Sequence, residues 1–188
     1  MRLFKFISGV ALCTALIFAV VFLGNYIYEQ MKYPVKYEDL VDKYSEQYQV
    51  DKILILSVIN CESSFNPKAE SKIGARGLMQ MTENTFGWIK EKINDRRDIT
   101  FDDIYTPDYS IEYGTALLSI LLKQYDDLDT VLCAYHAGMG TVSNWLSDKE
   151  NSRNGKTLDS IPASSTQTRQ YVVDVNKAIK IYTRRFEK

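Results

Sequence analysis

Apolar residues recur at helical spacing through most of the chain beyond residue 36. In the stretch 37–49, Leu40, Val41, Tyr44 and Tyr48 fall on one face of a helix. The same spacing and its interruptions predict further helices at residues 51–62, 83–92, 111–125, 130–137, 141–146 and 167–184. A strand pattern is limited to a short extended piece at 97–101. We therefore predict an all-α domain.

The stretch 51–62 is almost entirely apolar until it reaches Glu62. A helix that is apolar on all sides is a buried one. Asp51 is placed to cap its N-terminus, and Pro67 lies shortly beyond its end. Glu62 thus falls in the last turn, where the helix dipole and the apolar surroundings both disfavour a carboxylate. The position predicts a raised pKa and a general acid, with a solvated Glu at the helix end as the structural alternative.

Residues 63–81 predict a loop, because Pro67, Gly74 and Gly77 interrupt regular structure. The glycines suit either a tight turn alone or a loop that lets a bulky polymer approach closely. In the second case we expect Met79 and Gln80 to project into a groove. Thr82 is then placed to cap the helix that follows.

The N-terminal part of the chain predicts a membrane anchor. Residues 6–24 are apolar and follow Arg2 and Lys5, and the next charge is Glu29. About 19 residues just span the hydrocarbon core of a bilayer. The alternative is a cleaved signal peptide, but its apolar run would be shorter than this one. The positive charges before the run predict a single-pass protein with the domain on the outer side of the membrane. The predicted division is a cytoplasmic segment at 1–5, a transmembrane signal anchor at 6–28, a linker at 29–36 and the domain at 37–188.

Composition excludes some classes of site. The formal net charge of −1 provides no basic surface for nucleic acid. The single histidine, His136, and the domain's two cysteines, Cys61 and Cys133, do not make a zinc set. The cysteines predict buried thiols, with a disulfide as the alternative. Cys13 follows Leu12 in mid-span, where a lipoprotein signal needs a small residue.

Three separated motifs carry a family resemblance. The sequence from Glu62 to Pro67, continued by Ser71 to Gln80, resembles the ES…SxxGAxGLMQ signature of lytic transglycosylases with the lysozyme-like SLT domain. Residues 134–138, AYHAG, resemble the AYNAG motif of that family, and residues 168–172, TRQYV, resemble its ETRxYV motif. A weaker family segment lies at 107–114. The resemblance covers about residues 51–175.

The resemblance implies a lysozyme-like fold and cleavage of peptidoglycan between N-acetylmuramic acid and N-acetylglucosamine. A single Glu acts first as acid and then as base, the sugar's own 6-hydroxyl attacks, and the product is a 1,6-anhydro sugar. No metal and no organic cofactor is needed. We expect a monomer of the membrane-anchored Gram-positive type, bound to glycan strands, with Glu62 catalytic. The expected substrate-binding residues are Ser71, Gly77, Met79, Gln80, Tyr135, His136 and Tyr171.

Two departures from the family pattern keep other functions open. His136 stands where the family has Asn, and Gln167 stands where it has Glu. Gln167 also has the spacing to Ser164 of a capping box at the start of the last helix. One alternative is a hydrolytic muramidase in which Glu70 or Asp95 positions water, since hydrolysis uses two carboxyl groups. The other is a membrane-tethered peptidoglycan-binding protein that has lost turnover.

Overall fold

The computed structural model describes the backbone of residues 2–187, and the side chains of residue 14 and residues 16–187. The chain forms two compact units, Met1–Pro34 and Val35–Lys188. The first is a single helix, α1 (Arg2–Lys32), on which the described side chains between Leu16 and Met31 are mostly apolar and exposed. Among the residues that the structure describes, no helix is long and apolar enough to cross a membrane. The part of the predicted span at residues 6–13 and 15 lies outside the described side chains.

The second unit is all-helical, as predicted. Its helices are α2 (Glu38–Tyr48), α3 (Lys52–Ser63), α4 (Glu83–Lys92), a 3-10 helix (Phe101–Tyr105), α5 (Pro107–Gln124), α6 (Leu128–Ala137), α7 (Met139–Ser147) and α8 (Thr166–Phe186). Within residues 2–187 there is no strand, and only two isolated β-bridges join Arg76 to Glu70 and to Met81. The short extended piece predicted at 97–101 forms no strand: Thr100 has an extended backbone, and the 3-10 helix begins at Phe101.

Helix α3 lies in the centre of this unit. All residues from Leu54 to Asn60 are buried, and α3 packs against α8 and α2. Asp51 caps it as predicted, accepting a hydrogen bond of 2.8 Å from the Ile53 N–H. The left-handed C-cap, Ser64 at φ 50°, ends the helix. Burial of α3 thus brings its last turn, with Glu62, to the edge of the core.

Helix α5 is the second buried helix, with residues 110–119 all buried. It begins four residues before the predicted start, because Pro107 occupies its first turn, where the missing N–H of proline costs nothing. Gly114 sits where α5 meets the Met79 side chain, since a Cβ at this position would lie 2.3 Å from the Met79 sulfur. The absence of a side chain at Gly114 therefore allows Met79, in the loop between α3 and α4, to pack directly against α5.

Helix α8 begins one residue later than a Ser164 cap requires. Its N-cap is Ser165, which makes no side-chain capping hydrogen bond, and Gln167 is exposed. The capping box predicted for Ser164 and Gln167 is therefore wrong. The helix is held instead by packing of its apolar face, including Tyr171, Val175 and Tyr182, against α3 and α6.

Candidate active site

Glu62 opens into a cleft of about 220 Å³. The cleft is bounded by the end of α3, the loop after it, α4, α5 and α6. Within the described part of the chain, Glu62 is the one carboxylate that lines it. The Glu62 side chain is only partly exposed, and protein encloses it on most sides.

Burial is the main influence on the Glu62 carboxyl group. It raises the pKa of Glu62 from 4.5 to about 7, while the nearby Tyr171 hydroxyl acts in the opposite direction. Desolvation disfavours the charged form of a carboxyl group, and a donor directed at it favours that form. The raised pKa agrees with the expectation from the helix end. Near neutral pH, protonated and ionised Glu62 are therefore both populated.

Two tyrosines adjoin Glu62. Tyr135, on α6, lines the cleft and donates its hydroxyl hydrogen to the Met79 carbonyl oxygen at 2.8 Å. Tyr171, on α8, is buried, and its hydroxyl makes no hydrogen bond of ordinary geometry with any residue that the structure describes. Burial and the Glu62 charge raise the pKa of both hydroxyls well above 10. Both therefore remain protonated and able to donate.

His136 forms part of the wall next to these tyrosines. Its Nδ1 lies 3.1 Å from Thr168 Oγ1, and its ring centroid lies 4.6 Å from that of Tyr171. The His136 side chain is partly exposed, and the desolvation of its inner side lowers the pKa of the ring, which favours the neutral form. Thr168 was not singled out from the sequence, although it belongs to the TRQYV motif. Its hydroxyl fixes the orientation of the His136 ring.

The loop between α3 and α4 supplies the opposite wall. Ser71 lines the cleft, and its hydroxyl accepts the Ala75 N–H at 3.0 Å. Gln80, in a left-handed backbone conformation, also lines it. The Gln80 amide donates to the carbonyl oxygens of Ala69 at 3.2 Å and Gly77 at 3.0 Å. Because both amide hydrogens are used, Oε1 is the end of Gln80 that remains for a ligand.

Met79 and Gly77 differ from the sequence expectation. The Met79 side chain is fully buried over Gly114 and forms the floor of the cleft instead of projecting into it. Gly77 is buried outside the cleft lining, with φ 78°, and a Cβ there would lie 2.4 Å from the Ile104 carbonyl oxygen. Position 77 thus requires glycine because of the backbone conformation and close packing of the loop. The loop needs Gly77 in order to pass close to the 3-10 helix.

Arg76 ties this loop to the 3-10 helix. Its guanidinium lies 4.7 Å from the Phe101 ring centroid and 5.4 Å from that of Tyr105, and it pairs with Asp102 at 2.7 Å and Glu70 at 3.3 Å. The Tyr105 hydroxyl donates to the second oxygen of Glu70 at 2.8 Å. Glu70, the first carboxylate considered for positioning water, is engaged here and does not line the cleft.

Asp95, the other carboxylate considered, is also engaged elsewhere. It pairs with Arg97 at 2.6 Å and accepts from the Tyr113 hydroxyl at 2.7 Å. These contacts hold the pKa of Asp95 well below its usual range. Arg97 in turn pairs with the buried Glu112 at 2.8 Å. Asp95 therefore belongs to an ion-pair network between the loop after α4 and α5, and it does not line the cleft.

Several residues that line the cleft were not among the predicted site residues. They come from the loop, from the first turn of α4 and from α5, and are Ile73, Ala75, Met81, Thr82, Thr85 and Leu117. Thr82 was recognised only as a helix cap, and its hydroxyl does accept the Thr85 N–H at 3.4 Å. A local pattern identifies a cap, but it does not tell which surface the cap faces.

Cys61 and Cys133 carry separate thiols rather than a disulfide. Burial raises the pKa of the Cys133 thiol to about 12, so it is un-ionised. Over the described residues, no group of three or more His, Cys, Asp and Glu side chains is arranged to hold a metal ion.

Comparison with known proteins places the chain in a family. Residues 39–158 match the family described as Transglycosylase SLT domain. The chain belongs to this family. The SLT match ends before α8, which supplies Thr168 and Tyr171.

Relatives named membrane-bound lytic murein transglycosylase C are identical to the chain at about a third of the aligned residues. The protein of Pectobacterium atrosepticum is 34% identical over 172 residues, and that of Serratia proteamaculans is 34% identical over 177 residues. These alignments cover 79% and 80% of the chain but 47% of each relative, so the chain spans about half the length of the relatives it matches. The membrane-anchored Gram-positive type stays a prediction.

Solved structures show the same SLT fold. The 70-kDa soluble lytic transglycosylase from Escherichia coli superposes with a TM-score of 0.72 at 26% identity, over 84% of this chain and 26% of that one. An inactive mutant of lytic transglycosylase Slt from Pseudomonas aeruginosa gives 0.70 at 24% identity, over 85% and 26%. The predicted all-α, lysozyme-like fold is thereby confirmed.

Proposed function

We propose that this chain is a peptidoglycan lytic transglycosylase that cleaves the β-1,4 bond between N-acetylmuramic acid and N-acetylglucosamine. One observation carries the proposal. Among the described residues, Glu62 is the one carboxylate in the cleft, and burial raises its pKa to about 7. A group with that pKa can both give and take a proton near neutral pH.

Glu62 performs two proton transfers in this mechanism. Protonated Glu62 donates to the glycosidic oxygen as the bond from that oxygen to C1 of the muramic residue breaks. The resulting carboxylate then takes the proton of the 6-hydroxyl of the same residue while O6 bonds to C1. Glu62 ends in its starting state, and no water is consumed. The attacking group is already part of the substrate, which gives it the advantage of an intramolecular reaction.

The neighbouring side chains position the acid and the sugar. The Tyr171 hydroxyl can donate to the Glu62 carboxylate during the interval in which that carboxylate is charged. Tyr135 is fixed by the Met79 carbonyl oxygen, and its ring forms the side of the cleft. Gln80 offers Oε1, and Ser71 offers its hydroxyl hydrogen, to the N-acetyl and hydroxyl groups of the substrate. His136 is held by Thr168 and offers a neutral ring in place of the family's Asn.

The two alternative functions have less support. A hydrolytic muramidase of the two-carboxylate kind needs a second carboxyl group near the bond. Glu70 and Asp95 are both held in ion pairs away from the cleft lining. The alternative of a binding protein without turnover rests on the departures from the family pattern at His136 and Gln167. Gln167 is exposed, and it does not line the cleft in which Glu62 lies.

Mass spectrometry of digested murein tests the function. We expect muropeptides with 1,6-anhydromuramic ends, and their absence would contradict the proposal. Reducing ends would indicate a muramidase, and a lack of soluble products would indicate a binding protein. The Glu62→Gln variant keeps the shape of the acid without its proton, so it should bind glycan and lose at least 10²-fold in cleavage, roughly the smallest contribution of a general acid. A Glu70→Gln variant serves as the matched control and should keep its activity.

We further propose that α1 anchors the domain in the cell membrane as a single-pass helix, with the catalytic unit on the cell-wall side. The described side chains on α1 support this, because Phe18, Phe22 and Leu23 are each more than half exposed and would be covered by lipid. The described side chains alone do not make up a membrane span. The proposed span also includes residues 6–13 and 15, which belong to the apolar run of the sequence. At 1.5 Å per residue, the 31 residues of α1 reach about 46 Å. Glycan strands and the membrane are then the chain's partners, with no second subunit required.

A further inference from the structure

A second cavity, of about 230 Å³, adjoins the Glu62 cleft. The two share Thr85, Leu117 and Tyr135 as lining residues. The shared residues place the two cavities side by side, with the second on the side of Tyr135 that faces α4 and the start of α7. A polymer bound at Glu62 has room to continue into this second cavity.

The far wall of the second cavity is built around Trp88. Trp88 lies on α4, four residues after Asn84 and three after Thr85, so the three side chains share one face of the helix. Gly138 and Met139, where α6 passes into α7, line the other side. The wall is therefore largely apolar, with the amide of Asn84 and the hydroxyl of Thr85 as its polar side-chain groups.

Chemistry favours a sugar ring as the occupant of this cavity. A large aromatic ring offers an apolar surface to the C–H face of a pyranose, and a few polar groups at its edge fix orientation. A stem peptide carries carboxylates and would need a cation. In the described part of the chain, no charged side chain lines this cavity. Lys92 lies with Nζ 5.6 Å from the centroid of the Trp88 ring, but it does not line the cavity.

We propose that Trp88 forms a specificity site for a further sugar of the same glycan strand, removed from the bond that lies at Glu62. The inference rests on the proposed function, because it takes the substrate to be a glycan polymer. Strands long enough to reach Trp88 then bind more tightly than short ones. Preference for strand length is thus set on α4, away from the acid.

The binding test uses the two tryptophans of the chain, Trp88 and Trp145. Trp145 lines neither cavity, so a Trp145→Phe variant leaves Trp88 as the one indole that reports on the groove. The probes are peptide-free β-1,4 oligomers of N-acetylglucosamine with two to six sugars. We expect a change in tryptophan fluorescence and an affinity that rises at one step in the length series. An unchanged signal at all lengths overturns the site.

The kinetic test compares Trp88→Ala with Trp145→Ala on glycan strands freed of stem peptides. Loss of the Trp88 ring should raise KM for long strands about tenfold, the effect of one lost aromatic contact, and leave kcat and short substrates unchanged. Trp145→Ala should change neither. Circular dichroism and Tm establish that each variant folds, and the fluorescence titration remains decisive if Trp88→Ala does not fold.

The outcomes separate this site from the proposed function. Length-dependent binding at Trp88 without any cleavage supports the site and contradicts the lytic activity. Cleavage that is indifferent to Trp88 at every strand length contradicts the site and leaves the activity standing. A Trp88 effect that appears only with strands bearing stem peptides assigns the cavity to peptide and overturns the inference.

Discussion

Burial affects Glu62 in two opposing ways. It keeps a proton on the carboxyl group at a pH where an exposed Glu would have lost it, which is what a general acid needs. The same burial opposes ionisation of Glu62 in the folded protein, and this costs stability. Desolvation of Glu62 therefore makes it a suitable general acid and at the same time lowers the stability of the folded protein.

This opposition predicts how the stability of a Glu62→Gln variant depends on pH. Unfolded Glu62 releases its proton near pH 4.5, whereas folded Glu62 keeps it until about pH 7. The wild type should therefore lose stability relative to the variant as pH rises between these values, by at most about 3 kcal/mol above pH 7. Unfolding by urea at pH 4, 6 and 8 measures the difference. A stability difference between the two proteins that is the same at pH 4 and at pH 8 would contradict the raised pKa.

A Tyr171→Phe variant tests the other influence on Glu62. The Tyr171 hydroxyl acts to lower the pKa of Glu62, so its removal should raise that pKa further. Activity that needs protonated Glu62 falls as pH rises through this pKa. The alkaline limb of kcat/KM should therefore move to higher pH, by up to about one unit.

The control for Tyr171→Phe is Tyr105→Phe. The Tyr105 hydroxyl also donates to a carboxylate, but that carboxylate belongs to Glu70, outside the cleft lining. Its removal should leave the pH profile in place. A shift of the Tyr171→Phe profile to lower pH would mean that the hydroxyl does not stabilise the charged form of Glu62.

The helix termini differ in how they are held. The first turn of α3 has a side-chain cap, whereas the first turn of α8 has none. Asp51→Ala should therefore lower the free energy of unfolding by about 0.5–2 kcal/mol. Gln167→Ala, at an exposed site without a capping contact, should change it by less than about 0.5 kcal/mol. Chemical denaturation of both variants measures this, and a larger loss for Gln167→Ala would restore a structural role for that side chain.

Two helical glycines should respond in opposite directions to alanine. Gly87 on α4 faces open space, so Gly87→Ala should stabilise by about 0.5–1 kcal/mol. Gly114→Ala would place its Cβ 2.3 Å from the Met79 sulfur and 2.7 Å from the Met79 Cβ, so it should destabilise by about 1–3 kcal/mol.

The Gly114→Ala variant should also cleave murein more slowly. The Met79 backbone must move with its side chain, and its carbonyl oxygen holds the Tyr135 hydroxyl. Tm and initial cleavage rates test both glycine variants together. A Gly114→Ala protein with unchanged stability and activity would show that the loop does not depend on the packing of Met79 against Gly114.

Local signals in the sequence were reliable where the cause is local. Asp51 and Thr82 bond to their own helices, and α4 has the predicted bounds of 83 and 92. The predicted start of α5 at 111 follows the apolar spacing, whereas the helix begins at Pro107, which suits a first turn. The prediction of a capping box at Ser164 and Gln167 was wrong because residue spacing alone does not determine where a helix begins.

At the scale of the whole domain, the cleft is a product of long-range packing. Glu62 and Tyr171 were recognised through motifs, but they are more than 100 positions apart and meet because α3 packs on α8. Leu117 and Trp88 lie on helices whose spacing indicates only that one face is buried. Which face opens into a groove depends on the partner helix, and a single sequence does not specify that partner.

The two compact units lead to a test of the proposed anchor. The full chain should sediment with membranes and be released by detergent, because α1 exposes apolar side chains. Residues 35–188 alone should stay in the soluble fraction and still release anhydro-muropeptides from murein. Fractionation and the murein digest check this, with a full-length Phe18→Lys, Phe22→Lys variant as a control that should lose membrane association. A soluble full-length chain would rule out the anchor.

The loop between α3 and α4 has almost no regular structure, yet it is held along its length. Arg76 lies over the rings of Phe101 and Tyr105 and pairs with two carboxylates. Gln80 donates twice to the loop backbone, and the Met79 side chain packs on Gly114. The loop therefore loses its conformational entropy when the domain folds, and not when a ligand binds. A glycan strand that enters the groove meets a preorganised surface, so its binding free energy is not reduced by the ordering of a loop.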